Sequence, residues 1–111
     1  MESYSATVIL KALEGLSARV TVSAENIANA NTPRYRPLRV SFEDALAAAA
    51  RKDVAAVRAV KPTIAQAAAG EGLRLDLELS TESATADRYS ALIEILNRQL
   101  QIQSLAITGN N

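Results

Sequence analysis

The chain has 111 residues, enough for one small folding unit with a moderate core. It contains neither cysteine nor histidine, which excludes thiolate nucleophiles, disulfides, imidazole bases and the usual zinc and haem ligands. Its 12 basic and 12 acidic residues balance, so strong non-specific attraction to nucleic acid is not expected.

The N-terminus carries no pattern for membrane insertion or cleavage. No run approaches the roughly 20 apolar residues that a membrane-spanning helix needs. The first residues, Met1-Glu2-Ser3, are acidic rather than basic, and no small-residue cleavage site follows an apolar core. If the protein is exported, we therefore expect a route that reads an uncleaved N-terminus.

The first predicted element is a long amphipathic helix from about Ser5 to Asn29. Its apolar residues recur at spacings of three and four, which places them on one helix face. Gly15 weakens this helix by up to about 1 kcal/mol relative to alanine. The residues on the predicted packing face are Ile9, Leu13, Leu16, Val20, Ala24 and Ile27.

Three asparagines, Asn26, Asn29 and Asn31, lie where this helix should end, followed by Thr32-Pro33. Asparagine is a poor interior residue of a helix and a good C-terminal cap, and proline cannot continue a helix. Two interpretations stay open for Asn26 and Asn29. They cap the helix locally, or they hydrogen-bond to backbone where the helix meets an adjacent subunit and so fix its register.

The middle of the chain changes character. Residues 33–42 read as extended, residues 43–60 have high helix propensity with a thin apolar stripe, and residues 65–72 read as a loop. Leucines then alternate with charged residues over 73–79, which predicts a half-buried strand with Asp76 and Glu78 on its exposed side. Its leucine face needs a partner strand or a helix, and the stretch around Val40 is the candidate for a partner strand.

The last predicted element is a long helix from about Thr81 to Thr108, capped by Ser80 or Thr81. Its apolar surface is wider than a two-stranded seam and calls for more than one partner helix. In one alternative, a middle helix of the same chain covers that surface. The predicted packing positions follow a near-heptad stripe: Tyr89, Ile93, Leu96, Leu100 and Ile107.

These elements predict a mainly α fold. The long N- and C-terminal amphipathic helices should pair as a coiled-coil-like hairpin, with a short irregular middle that contains some β structure. The corresponding boundaries are 1–29 for the first helix, 30–79 for the middle and 80–111 for the last helix.

The charged residues offer little to an enzyme. Glu82 and Asp87 lie where a helix start favours acids, and no phosphate loop, nucleophile elbow or calcium loop is present. We therefore predict no catalysis, no cofactor, no metal and no small-molecule substrate. The basic residues Arg34, Arg36 and Arg39 have no interleaved aromatic beyond Tyr35, so a salt bridge to an acidic neighbour, such as the 76–87 segment of another copy, is favoured over nucleic-acid binding. A solvated loop is the other interpretation and the commonest one for such a run.

Residues 26–35 resemble the signature N-I-A-N-A-x-T-P-G-Y of the flagellar axial proteins, which form rod and hook. The matching residues are Asn26, Ile27, Ala28, Asn29, Ala30, Thr32, Pro33 and Tyr35. The chain departs at Arg34, where the family usually has a glycine that allows positive φ without steric cost. At the other end, Leu75–Glu78, Tyr89 and Leu105–Gly109 are similar to the C-terminal pattern of a proximal rod subunit.

The resemblance implies a structural subunit of the bacterial flagellar basal-body rod that polymerises through its terminal helices and transmits torque from the MS ring to the distal rod and hook. It implies export through the flagellar type III apparatus and assembly in the periplasm. The implied partners are other rod subunits (itself and FlgC-like proteins), the junction protein FliE and the MS ring. The alternative from another class is a soluble helical adaptor or export chaperone that binds a partner helix.

Overall fold

The computed structural model describes residues 3–108. Two long helices, α1 (Tyr4–Ala28) and α4 (Leu75–Thr108), enclose a small middle. The middle consists of strand β1 (Leu38–Ser41), helices α2 (Glu43–Ala50) and α3 (Val54–Ala59), and strand β2 (Thr63–Gln66). The predicted mainly α fold with a short β-containing middle is confirmed, and α1 begins and ends within one residue of its predicted bounds.

The two long helices run antiparallel along an elongated molecule of 64 × 26 × 14 Å. Gln99 donates a hydrogen bond to Ser3 at the start of α1 (3.2 Å), whereas Glu78 accepts one from Ser23 near its end (2.7 Å). At 1.5 Å per residue, α1 is about 37 Å long and α4 about 51 Å. Since Ser3 lies opposite Gln99, the last turns of α4 extend beyond the hairpin.

The two strands form an antiparallel pair in which Val40 lies opposite Ile64. The predicted partner of the Val40 stretch was wrong, because residues 75–79 belong to α4 and β2 takes their place. Ser80 and Thr81 accordingly lie inside the helix instead of capping it. The leucines of this segment, Leu75, Leu77 and Leu79, are 45 to 53% exposed, while Glu78 is buried. The side chain of this segment that faces the interior is therefore that of Glu78, and the three leucines face solvent.

The helix-prone segment 43–60 forms two helices instead of one. α2 ends at Ala50, and the side chain of Asp53 starts α3 by accepting a hydrogen bond from the Ala56 amide (2.8 Å). A new N-cap after a charged turn is a standard way to restart a helix in another direction. Both short helices pack on α1, and neither covers the far end of α4. The alternative in which a middle helix covers that surface is wrong.

The core has two parts that share α1. The larger one lies between α1 and the middle segment, and the smaller one lies between α1 and α4. Leu92 of α4 packs against both. The buried members of the larger part are Leu16, Val22, Val40, Phe42, Leu46, Ala49 and Val57, and those of the smaller part are Ala6, Leu13 and Leu96.

The predicted packing residues are placed unevenly. On α1, Leu13 and Leu16 are buried, and Ile9, Val20 and Ile27 are half-buried. On α4, Leu96 is buried and Ile93 half-buried, whereas Tyr89 and Leu100 are 36% and 45% exposed. The side chain of Ile107 lies outside the described residues. The face of α4 that meets α1 follows a heptad that is partly polar: Glu78, Glu82, Thr85, Leu92, Leu96 and Gln99.

Gly15 lies where the Phe42 ring packs directly on the backbone of α1. A Cβ at this position would overlap the ring atoms Cγ, Cδ1 and Cε1 of Phe42. The glycine therefore lowers the helix propensity of α1 but permits the Phe42 ring to pack directly against its backbone.

We expect Gly15→Ala to destabilise the protein by about 1–3 kcal/mol, because forced overpacking outweighs the gain of about 1 kcal/mol in helix propensity. Urea unfolding of the variant measures the difference. Ser17→Ala, at an exposed position of the same helix, is the matched control and should change stability little. A Gly15→Ala variant more stable than the parent would contradict the contact.

Candidate functional site

The end of α1 is closed by Asn29. Its amide N–H donates to the carbonyl of Glu25 (3.1 Å), and its side-chain amide donates to the same carbonyl (2.9 Å). Thr32 then donates its hydroxyl to Oδ1 of Asn29 (3.0 Å). The local capping interpretation therefore describes the contacts of Asn29 within the chain. Asn31, Thr32 and Pro33 are exposed in the turn that follows.

Asn26 has a different role, because its side chain is completely buried and bonds to distant residues. Its Nδ2 donates to the carbonyl of Leu38 (2.9 Å), and its Oδ1 accepts from the Leu38 amide (2.9 Å). Oδ1 also accepts the hydroxyl of Tyr35 (2.7 Å), and Nδ2 reaches Oε2 of Glu78 (3.3 Å). An amide offers two donors and two acceptor positions, and here all four are used.

Glu78 connects α4 to this arrangement. Its Oε2 accepts from the hydroxyl of Ser23 (2.7 Å) as well as from Asn26, and its Oε1 accepts from the guanidinium of Arg39. The carboxylate is 4% exposed. Burial alone would raise its pKa, but the bonds from Ser23, Arg39 and Asn26 together favour the charged form and lower the pKa of Glu78. We call Ser23, Asn26, Tyr35, Arg39 and Glu78 the polar cluster.

A second ion pair lies further along the same edge of β1. Arg19 of α1 binds Glu43 through both terminal nitrogens, donates to the carbonyl of Val40 (2.8 Å) and lies 5.0 Å from the centre of the Phe42 ring. The hydrogen bond from Arg19 lowers the pKa of Glu43 to about 2. The same bond raises the pKa of Arg19. α1 therefore holds β1 through two polar side chains, Arg19 and Asn26, which lie about two turns apart on the helix.

The turn between α1 and β1 has an unusual backbone at Arg34. This residue has φ of 62°, the left-handed conformation that a glycine adopts easily. The turn thus keeps the geometry for which the family signature supplies a glycine, although Arg34 carries a Cβ. Its neighbour Arg36 donates two hydrogen bonds to the carbonyl of Ala67 (2.9 and 2.6 Å). Arg34 and Arg36 line an open cleft of about 510 Å³ between this turn and residues 69–73.

The structure brings the predicted charges together within one chain. Arg39 was expected to pair with the acidic 76–87 segment of another copy, and it pairs with Glu78 of its own chain. The prediction that Glu78 lies on the exposed side of a strand was wrong, while Asp76 is exposed and pairs with Arg74 (3.0 Å). Sequence reasoning missed Ser23, although a serine three residues before Asn26 continues a polar strip on the helix.

The polar cluster joins α1, the turn, β1 and α4 by hydrogen bonds. Every polar group of the cluster has a partner, and no free nucleophile or base lies in it. Within residues 3–108, the acidic side chains form no group that could hold a metal ion. No helix among the described residues is both long and apolar enough to cross a bilayer.

The exposed end of α4 is the other notable surface. Residues 99–108 carry no charge. Large apolar side chains project from this end and from the turn before it: Ile95 (50% exposed), Leu100 (45%), Ile102 (66%) and Leu105 (68%). Such a concentration of exposed apolar residues marks an interaction surface.

The N-terminal segment matches a known protein family. Residues 9–36, which comprise most of α1 and the turn up to Arg36, match the family model of the flagella basal body rod protein. The resemblance of this segment to the flagellar rod family is thereby confirmed, and it supports a structural role in the flagellar basal-body rod. The chain has no match among curated proteins.

We expect the stability of the protein to fall in acid. A carboxyl whose pKa is lowered by folding stabilises the folded state above its unfolded pKa of about 4.5, and this contribution is lost as the pH falls through the folded value. Urea unfolding at pH 7, 5 and 3 should therefore show a decline below about pH 4.5, continuing towards the value of about 2 for Glu43.

Glu78→Gln should cost about 1–3 kcal/mol at pH 7 and reduce the acid-dependent part, because the charge-assisted bonds are gone. Asp76→Asn, in an exposed pair on the same helix, is the matched control and should cost at most about 0.5 kcal/mol. Equal losses for the two variants would contradict the importance of the buried carboxylate.

We expect Arg34→Gly to stabilise the protein by about 1 kcal/mol, because glycine adopts positive φ without the penalty that an L side chain carries. Arg34→Ala keeps the Cβ and removes only the guanidinium, so its stability should match the parent. Thermal unfolding of both variants distinguishes the effect of backbone strain on stability from the effect of the guanidinium charge. A loss of stability in Arg34→Gly would show that the left-handed turn carries no strain.

Proposed function

We propose that this protein is a structural subunit of the proximal flagellar rod, closest to the rod protein FlgB. The match over residues 9–36 and the helical hairpin support this assignment. The similarity of the C-terminal helix to the proximal rod pattern favours FlgB over sister rod proteins. The chain would act mechanically, without catalysis and without cofactors.

The observation that carries the proposal is the uncovered end of α4. With Gln99 opposite Ser3, the residues from 100 to 108 extend beyond α1 by about 13 Å. This end exposes Leu100, Ile102 and Leu105 and carries no charge, so a neighbouring subunit could bury it without desolvating a charge. A contact between the end of one hairpin and the side of the next is head-to-tail, and such a contact propagates as a helical filament if it does not close into a ring.

The polar cluster supports the mechanical part of the proposal. It fixes the angle between α1, β1 and the start of α4 by directional bonds, so a torque applied to one helix would be passed to the other without a hinge. In the proposed role, the signature residues Asn26, Ile27, Asn29, Asn31, Thr32, Pro33 and Tyr35 present the turn to a neighbouring subunit. Asn31, Thr32 and Pro33 are exposed and available for such a contact.

The proposed setting is the periplasmic rod of the basal body, reached by flagellar type III export. Its partners there would be copies of itself, FlgC-like rod subunits, FliE and the MS ring, with the rod carrying torque towards the distal rod and hook. Transport through the export apparatus requires an unfolded chain, which a small marginal core makes accessible.

A second candidate is a soluble helical adaptor or export chaperone. It is favoured by an open apolar groove of about 370 Å³ beside α1 and α4, which could take one face of a partner helix. The residues that line it include Ala12, Leu16, Phe42, Ala91 and Leu92.

Circular dichroism and sedimentation of the purified chain, alone and with a candidate rod subunit, distinguish the two. A rod subunit should gain helicity and form larger species on mixing. An adaptor should be a stable monomer that melts cooperatively and ignores the rod subunit.

Replacing Ile102 and Leu105 by serine should reduce incorporation into rods on the order of tenfold or more, because the apolar contact is lost. Export should remain near the parental level. Asn97→Ser with Gln101→Ser, polar exposed positions of the same helix, is the matched control and should incorporate normally. Quantifying the subunit in purified basal bodies and in the culture medium gives both readouts. Normal rods built from the doubly substituted protein would exclude this end of α4 as the assembly contact.

A further inference from the structure

The two-stranded sheet has two outer edges, and the register shows which backbone groups face each of them. Ala67 donates to the carbonyl of Pro37 (2.8 Å), so this pair is of the hydrogen-bonded kind. Bonded and non-bonded pairs alternate in an antiparallel ladder. The pairs of Arg39 with Ala65 and of Ser41 with Thr63 therefore bond across the sheet. The backbone groups of the alternate residues face outwards.

The outer edge of β1 is covered by side chains of α1. The amide and carbonyl of Leu38 both bond to the side chain of Asn26, and the carbonyl of Val40 accepts from Arg19. These two side chains bind three of the four outward backbone groups of Leu38 and Val40, to which another strand would otherwise bind. Covering an edge in this way prevents unwanted pairing.

The outer edge of β2 has no such cover. Its outward groups are the N–H and C=O of Ile64 and Gln66, and no hydrogen bond from residues 3–108 satisfies them. All four residues of β2 are exposed, and Ile64 is 53% exposed although it lies opposite buried Val40 on the same face of the sheet. An uncovered edge of this kind is a template for one further strand.

We propose that the outer edge of β2 binds β2 of a second copy of this chain, so that two sheets join into one antiparallel four-stranded sheet. The contact would be a two-fold one centred on Ala65. Ile64 of each copy would lie opposite Gln66 of the other, and the two pairs would exchange four backbone hydrogen bonds.

The sequence of this edge is self-complementary in charge and size. Residues 63–69 carry no charge, so the two-fold arrangement brings no like charges together. The residues beyond the four bonds also fit, since Thr63 would face Ala67 and Lys61 would face Ala69. Each Ile64 would gain a neighbouring strand on the face where it is now open to solvent. Pro62 ends the ladder because it has no N–H to donate.

The proposed dimer is separate from a filament contact. A two-fold contact closes on itself and cannot propagate, whereas the proposed contact of the α4 end is head-to-tail. A ladder of four bonds also covers much less than the roughly 1,200 Å² of a standard stable interface, so the dimer should be weak and concentration-dependent. It would be a state of the free subunit, and it does not depend on the proposed function.

The test is sedimentation equilibrium of the full chain from about 10 µM to about 1 mM, a range in which a weak dimer forms. Hydrogen exchange at the two ends of this range gives the position of the contact. The amides of Ile64 and Gln66 should exchange more slowly at high concentration, whereas the amide of Ala65, already bonded to β1, should change little.

Ile64→Lys places two like charges near each other across the two-fold axis and should weaken the dimer by about tenfold or more. Ile64→Thr keeps a β-branched, uncharged residue and should retain dimerisation. Because Ile64 is exposed, both variants should keep the parental circular dichroism spectrum. A monomer at every concentration would overturn the proposal. So would a dimer that survives Ile64→Lys but is lost in Leu105→Lys, since that contact would lie on α4.

Discussion

The structure depends on one buried side-chain amide. Asn26 lies on α1, yet its four hydrogen bonds reach the turn, β1 and α4. Burying a side-chain amide costs free energy unless its hydrogen bonds are made. Each bond of Asn26 also gives a hydrogen-bond partner to the group at its other end. Asn26 bonds to both backbone groups of Leu38 on the outer edge of β1, accepts the Tyr35 hydroxyl and donates to the Glu78 carboxylate, which Ser23 and Arg39 also bind. One residue therefore makes direct contacts to the turn, to β1 and to α4.

The seam between α1 and α4 divides into a polar half and an apolar half. Near the turn α1 faces Glu78, Glu82 and Thr85, of which Glu78 bonds to Ser23 and Asn26, and towards the N-terminus α1 packs mainly on Leu92 and Leu96. Directional bonds set geometry, whereas apolar burial supplies most of the stability. Hydrogen bonds therefore fix the register of the two helices near the turn, and apolar burial holds them together near the N-terminus. It also explains how a chain with few aromatic residues holds two helices of unequal length together.

The sequence predicted the elements whose signals are local. α1 was placed to within one residue because apolar spacing, asparagines and Pro33 all act within that segment. The segment 73–79 was assigned wrongly because its alternation fits a strand locally. What selects the helix is the bonding of Glu78 to Ser23, Asn26 and Arg39, none of which lies near it in sequence. The left-handed turn at Arg34 was not predicted, because an arginine stands where the family signature has the glycine that adopts this conformation easily. The strand β2 could not be predicted, because its four residues are too few to show an alternation of apolar and polar side chains.

The large sequence separation of the hydrogen bonds between α1 and α4 has a consequence for the order of folding. Ser23 and Glu78 are 55 residues apart, and Ser3 and Gln99 are 96 apart. A chain that emerges N-terminus first from a ribosome or a narrow channel presents α1 long before its partner. Ser23 and one donor of Asn26 then remain bonded to water until Glu78 follows, and contacts of such separation form slowly. The hairpin can close only late, so vectorial emergence by itself delays premature folding.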